Sequence, residues 1–347
     1  MKHISIIIPA YNEEDTISNT IDSITSYMNN FKDRFSWEMI IVDDGSKDRT
    51  YEILKNAAAR DSHIKVLKHF TNMGQGSALR TALPHTKGDI VVVMEADLNY
   101  SPEHIVKMIE KMESDNLDIV LASAYAREGI VQNVPFFRRV LSRYANKFLS
   151  YAFRGNYSTL TCVVRCYRGD VIRDLFLTSS GMEINLEIME IAEILNLKVG
   201  EVPAVLNWST ERKATGRRSF RNLYRTMRRF LFYGFLIRPS IVFKIPAAFF
   251  MFWALYFAVF VIFRIIEKAI TINDNGLVYA LSQGMSHTFQ TYPQTLFLCL
   301  INLFLSLIFL LFAFIGLQIK YTYAKNYSLL HSIAIRQNIG KDNQCVE

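Results

Sequence analysis

The sequence predicts an α/β domain built on a mostly parallel sheet, followed by an amphipathic helix and two membrane-crossing helices. Three observations predict it. Short apolar runs alternate with helical stretches from residue 4 to about 120, as strands do when a crossover helix joins each to the next. Each run ends in polar residues, where an open parallel sheet binds its ligands. After residue 240, two long stretches carry no charge.

In order, Ile4 to Ile8 reads as a strand stopped by Pro9, and Asp15-Thr16 with Ile17, Ile21 and Ile24 as a helix with one apolar face. Trp37 to Val42 is a second buried strand, ending in Asp43-Asp44-Gly45-Ser46 and leading to a helix through Tyr51, Ile53 and Leu54. Ile64 to Leu67 is a third, followed by Asn72-Met73-Gly74-Gln75-Gly76 and a helix over Ser77 to Leu83. Ile90 to Met94 is the central strand, apolar throughout and so buried on both faces. It ends in Glu95-Ala96-Asp97. Residues two apart on a strand point the same way, so Glu95 and Asp97 can converge on one cation. With Asn99 nearby they suit Mg²⁺ or Mn²⁺ shared with substrate phosphates. Ser101-Pro102-Glu103 then reads as an N-cap, a first-turn Pro and a first-turn acid.

Composition bounds the function. The chain has 347 residues, 50% hydrophobic, with 25 Phe and a net charge of +7. The positive balance suits an acidic partner, nucleic acid or an anionic membrane surface. Cys162, Cys166, Cys299 and Cys345 show neither staple nor zinc spacing and read as reduced thiols. The N-terminal apolar run is too short for a signal peptide and is followed by Pro and two Glu. The glycine loop fits neither the dinucleotide nor the P-loop spacing. Taken alone, Asp43-Asp44-Gly45-Ser46 reads more readily as a turn than as a ligand site.

The ordered set is specific. PAYNEEDTI (9–17), VDDGSKDRT (42–50), NMGQGSALRTAL (72–83) and EADLNYSPE (95–103) together resemble family 2 glycosyltransferases. The resemblance implies a GT-A fold and a nucleotide-diphosphate sugar donor, UDP- or GDP-linked. It implies that Pro9, Tyr11, Glu13, Asp43, Asp44 and Gly74 form the nucleotide pocket, and that Glu95, Asp97 and Asn99 hold the metal. The family usually has Asp where Glu95 stands. LASAYAREG (121–129), FFRRVLSRYANKF (136–148) and STLTCVVRCYRGDVI (158–172) are similar to dolichol-phosphate mannose synthases and bacterial polyprenyl-phosphate relatives. That similarity implies a polyprenyl phosphate acceptor held by Arg138 and Ser142, with Asp97 and Glu187 at the catalytic centre. Arg212 and Arg218 would lie on a basic loop over the donor phosphates, and water exclusion by such a loop suits a reacting diphosphate. Three departures stand out: Ala124 for an Arg, Thr159 for an Asp, and Cys162-Val163 for a Gly pair. Arg127 or Arg143 are the alternative sources of the missing charge.

Gly181 to Ile194 reads as a helix and Val199 to Val205 as the last strand. From Phe220 to Leu231 an apolar stripe opposes Arg221, Arg225, Arg228 and Arg229, a pattern that lies on anionic membranes. Two spans follow, about 243–265 and 294–319, with Trp253 and several Tyr suited to interfacial belts. Basic residues crowd both outer flanks and are few between, so both termini are expected in the cytoplasm. The expected divisions are a catalytic domain over 1–215, the juxtamembrane helix over 216–240, the hairpin over 241–320 and a tail over 321–347. The basic cluster abuts the first span, which argues for membrane and against nucleic acid. Whether the spans also join copies into a homo-oligomer stays open.

The expected activity is inverting transfer of one sugar from the nucleotide donor to a polyprenyl phosphate at the cytosolic leaflet. An acceptor phosphate is already anionic, so no strong general base is needed. Two other readings stay open: transfer to another lipid or lipid-linked glycan, and a membrane-anchored scaffold that kept the fold without turnover.

Overall fold

The computed structural model describes residues 1–153, 155, 157–208, 239–271 and 276–344. The elements expected between 209 and 238 lie outside the described residues, as do Arg212, Arg218 and Cys345. Two compact units make up the chain, Met1–Gly234 with Ala324–Glu347, and Phe235–Tyr323.

The first unit is organised on a seven-stranded sheet. Its elements are β1 (Lys2–Ala10), α1 (Ile17–Asn29), β2 (Phe35–Asp43), α2 (Thr50–Arg60), β3 (Ile64–Lys68), α3 (Gln75–Ala82), β4 (Ile90–Val93), α4 (Glu103–Ser114) and β5 (Ile119–Ser123). There follow β6 (Ile130–Gln132), α5 (Phe136–Ala152), β7 (Arg165–Arg168), α6 (Gly169–Asp174), α7 (Ile184–Leu195), β8 (Val199–Pro203) and β9 (Val205–Asn207). The order is β3-β2-β1-β4-β7-β5-β8, parallel except for β7, which runs antiparallel between β4 and β5. β6 and β9 pair separately and in parallel.

Alternation along β1 builds two layers. Ile4, Ile6 and Ile8 join the core that also holds Ile17, Ile21 and Ile24 of α1 and Ile105, Met108, Ile109 and Met112 of α4. Ile7 faces away from them and is equally buried, and α3 packs on β1 and β2. Ile24 is fully buried, and such burial stabilises by about 1.5–3 kcal/mol.

β1 continues past Pro9, contrary to the expected stop. Ile7 O accepts from Met94 N on the β4 side and Ala10 O from Asp44 N on the β2 side. Pro9 therefore turns its nitrogen toward β4, past the last residue of that ladder, Val93, and forfeits no bond. Ser101 does not cap α4. His104 Nδ1 lies 3.3 Å from its hydroxyl, and Pro102 takes the cap position.

The second unit holds α8 (Pro239–Thr271), α9 (Leu277–Thr291) and the start of α10 (Pro293–Gln344). Val242–Thr271 and Pro293–Ile333 are long and apolar enough to cross a membrane. Between them the expected connection is itself helical. Ala280, Gly284 and Thr288 form the buried stripe of α9, and a Cβ at Gly284 would collide with Ile265 O of α8, so the small residue sets the packing distance. Ser306 Oγ donates to Ala247 O at 2.9 Å, joining α10 to α8. Trp253 sits near the middle of its helix against Phe249 and Phe257, not in the interfacial position expected of it.

Candidate active site

The carboxyl ends of β1, β2 and β4 surround a cavity of about 260 Å³. Pro9, Tyr11 and Glu13 reach it from the β1 loop, Asp44 from β2, Gly74 from the α3 loop, and Glu95 and Asp97 from β4. Seven expected site residues thus share one cavity. Asn72, Gln75, Val163 and Met182 also line it.

The β1 and β2 loops are laced together by side chains. Asn12, at a φ of 54°, accepts from Lys47 N on Oδ1 at 2.8 Å and donates its backbone N–H to Ser46 Oγ at 2.9 Å. Asp48 accepts from Thr50 N, Thr50 Oγ1 and Glu14 N. Burial raises the Asp48 carboxyl, but these bonds outweigh it and hold the group below its ordinary 3.8.

The paired acids Asp43 and Asp44 divide their work. Asp43 is fully buried and does not line the cavity; Oδ1 accepts from Ser46 N at 3.1 Å, while Oδ2 has no partner among the described residues. Asp44 accepts from Met73 N at 2.9 Å and Gly74 N at 2.8 Å, and Oδ1 also meets His69 Nδ1 at 2.7 Å. It shapes the α3 loop as well as lining the cavity. Gly74 has a φ of 95°, and a Cβ there would collide with Ser180 O, so only glycine fits.

Beyond β4 the chain reverses at Leu98, whose φ is 50°. The reversal brings Asn99 back onto Asp97: Asn99 Nδ2 donates to Asp97 Oδ2 at 2.8 Å. Asn99 is buried and outside the cavity lining, so its amide orients Asp97. Thr20 Oγ1 donates to Ala96 O at 2.7 Å and fixes the backbone between the two acids. Glu95 and Asp97 supply hard oxygen donors to one cavity, a set that fits Mg²⁺ or Mn²⁺. Among the described residues no group of three His, Cys, Asp or Glu is placed to hold a metal ion. Nearby, burial foremost and then Glu95 push the Cys162 thiol up to about 12, so it stays protonated.

Arg138 and Ser142 lie on α5, away from this cavity. The Arg138 guanidinium covers the Trp208 ring at 4.8 Å, and Ser142 O accepts from Asn146 Nδ2 at 2.9 Å. Asn146, buried, also bonds Thr161 and ties α5 to the following loop. The opposite face of α5 is exposed and aromatic, with Phe137 at 85% and Tyr144 at 68%. Arg139, Arg143 and Lys147 are exposed on the same helix. Glu187 is likewise outside the cavity lining. Its Oε1 accepts from Thr178 N and Oγ1, and its Oε2 from Ser179 N, pinning the segment that packs on Gly74. Ala124 is buried, and Thr159 bonds Ser123 Oγ and Tyr125 N. Arg127 and Arg143, the alternative sources of charge, are exposed and outside the lining.

A parallel sheet with one antiparallel insertion and acids closing its central strand is the architecture of GT-A glycosyltransferases. Glucosyl-3-phosphoglycerate synthase of Mycobacterium tuberculosis, solved with UDP, superposes with a TM-score of 0.51 at 20% identity, over 68% of this chain and 80% of that one. Its complex with Mn²⁺, UDP-glucose and phosphoglyceric acid gives 0.52 at the same identity, over 68% and 79%. The likeness is one of fold. Residues 5–176 match the Glycosyl transferase family 2 model, and the chain carries a domain of that family.

Two relatives narrow the kinship. Undecaprenyl-phosphate 4-deoxy-4-formamido-L-arabinose transferase of Edwardsiella ictaluri is 32% identical over 174 residues, 50% of this chain and 51% of that protein. Dolichol-phosphate mannosyltransferase of Pyrococcus furiosus is 34% identical over 140 residues, 40% of this chain and 38% of that protein. The chain thus spans about half the length of the first and less of the second.

Proposed function

We propose that the protein transfers one sugar from a nucleotide-diphosphate donor, UDP- or GDP-linked, to a polyprenyl phosphate at the cytosolic membrane face. The observation that carries this reading is the convergence of Glu95 and Asp97 with the Tyr11, Asp44 and Gly74 loops on one cavity. Both relatives above are named for a polyprenyl-phosphate substrate.

Tyr11 and Glu13 hold the base and ribose with Asp44, whose carboxylate lines the cavity, while buried Asp43 braces the β2 loop behind it through Ser46 N. Glu95 and Asp97 hold Mg²⁺ or Mn²⁺, with Asn99 keeping Asp97 in place. When bound, the cation neutralises charge on the leaving diphosphate. Arg138 and Ser142 hold the acceptor phosphate, the Arg by paired N–H donors. An acceptor oxygen forms the new bond to the anomeric carbon while the bond from that carbon to the diphosphate breaks on the opposite face, giving inversion. The nucleoside diphosphate departs as an anion and no proton is moved, so positioning and electrostatics do the work.

The catalytic domain covers 1–215, and the helices after 240 anchor it with both termini in the cytosol. The exposed aromatic and basic side chains of α5 support nearness to an anionic bilayer.

A donor screen tests the reading. Full-length protein in vesicles containing polyprenyl phosphate is offered radiolabelled nucleotide sugars with and without Mg²⁺ or Mn²⁺. Metal-dependent label in that lipid from one donor is the expected result. Donor hydrolysis without lipid label would move the acceptor elsewhere, and silence with every donor would favour the scaffold.

A further inference from the structure

We propose that His69 is a positioning residue of the donor site, setting through Asp44 the backbone of residues 72–75 that line the cavity. His69 is buried just beyond β3, with its own N–H donating to Asp43 O at 2.8 Å. Both ring nitrogens are engaged: Nδ1 meets Asp44 Oδ1 at 2.7 Å and Nε2 meets Thr81 Oγ1 at 2.9 Å. An ionised carboxylate can only accept, so Nδ1 carries a proton and the Thr81 hydroxyl fixes the ring from the far side.

Asp44 is itself nearly enclosed, and its three donors are His69 Nδ1–H, Met73 N–H and Gly74 N–H. The two backbone donors belong to the loop being positioned, so they cannot fix the carboxylate independently of that loop. The imidazole is anchored elsewhere, between β3 and α3, and supplies the outside reference. The loop has little slack to absorb an error, because Gly74 is held at positive φ against Ser180 O. His69 does not line the cavity, so its effect on a ligand passes through Asp44 and the loop.

The proposal rests on the donor-site reading, and its test separates the two. Full-length wild type, His69→Leu and His69→Asn are placed in lipid nanodiscs. UDP and GDP are titrated by calorimetry, and amide exchange is followed in the peptide covering residues 70–76. For the nucleotide that wild type binds, His69→Leu is expected to weaken affinity by about ten- to a hundredfold, the worth of one hydrogen bond to a buried charge. Exchange at Met73 and Gly74 accelerates, and the turnover defect falls on donor KM rather than kcat. His69→Asn, whose amide can donate in place of Nδ1, recovers most of each loss.

Thr81→Val keeps the test open should His69→Leu fail to fold: it releases only the far side of the ring, and a smaller change in the same direction is expected. Unchanged exchange in a folded His69→Leu or Thr81→Val protein overturns the proposal, as does a loss that falls on kcat alone. If wild type binds neither UDP nor GDP, the nucleotide reading fails, and exchange at Met73 and Gly74 decides the role of His69 by itself.

Discussion

Asp97 and Asn99 flank a residue at positive φ, and the amide of one holds the carboxylate of the other at 2.8 Å. The pair makes a graded prediction. On the proposed reading, Asp97→Asn removes a carboxylate charge from the cavity and should lower transfer at least about a hundredfold. Asn99→Ala leaves the charge but removes the 2.8 Å bond from the amide that steadies it, and about tenfold is expected from one charge-assisted hydrogen bond. Metal-free nucleotide titration should read the same for both variants as for wild type. An Asn99→Ala loss as deep as that of Asp97→Asn would mean that Asn99 is itself a ligand. The acids were legible in the sequence because a buried apolar strand that closes in Glu-Ala-Asp delivers two carboxylates to the same side of a sheet edge. The duty of Asn99 was not, because it depends on the reversal at Leu98, and a leucine carries no sequence signal for positive φ. Glu187 shows the same limit: an acid on a helix is visible, but its two oxygens are spent on Thr178 and Ser179, a contact the spacing does not encode.

At the scale of elements, α4 is held to β9 through one histidine. His104 Nε2 accepts from Val205 N at 3.1 Å, so the ring proton sits on Nδ1 and donates to Ser101 O at 2.9 Å. Burial chiefly lowers its pKa below the ordinary 6.5. A depressed folded pKa means the contribution is complete above pH 6.5 and declines as the pH falls through the folded value, because the unfolded chain takes up the proton first. Thermal melts of wild type should therefore drop between about pH 7 and 5. A His104→Gln protein should lose part of that slope and lie closest to wild type at the acid end. Equal slopes would remove His104 from the account. The parallel strands β1 to β4 could be read in advance because each is a short, mostly apolar run that ends in polar residues. Antiparallel β7 could not, since Arg165-Cys166-Tyr167-Arg168 is bracketed by two arginines and shows no apolar run, while its core position buries the Arg165 guanidinium entirely. That guanidinium donates to the carbonyls of Cys162, Leu160 and Asn185.

At the scale of the whole molecule, the membrane reading divides between spans and surface. The spans were evident because eighteen or more uncharged residues are long enough to cross a bilayer and costly to leave in water. α9 was hidden because its packing rests on Ala280 and Gly284, small residues that spacing arguments pass over. α5 extends the reading. At 3.6 residues per turn, Phe137, Tyr144, Phe148 and Tyr151 share an arc of about 60° opposite Asn146 and Leu149, which face the domain. A Phe137→Ser/Tyr144→Ser protein in vesicles should transfer less sugar to membrane-embedded acceptor while binding nucleotide normally. A parallel loss of nucleotide binding would trace the effect to local unfolding instead.

The sequence by itself determined which segments are strands buried on two faces, which loops carry acids and glycines, and which stretches belong in lipid, because each follows from local chemistry and spacing. Tertiary structure decided how the acids share the work. Asp43 is enclosed, Asp44 is tied to His69 and the α3 loop, Asp97 is steadied by Asn99, and Glu187, on α7, is taken up by Thr178 and Ser179. These assignments are hydrogen bonds between residues far apart in the chain or across a left-handed turn, and their energy exists only once the sheet has brought the strand ends together.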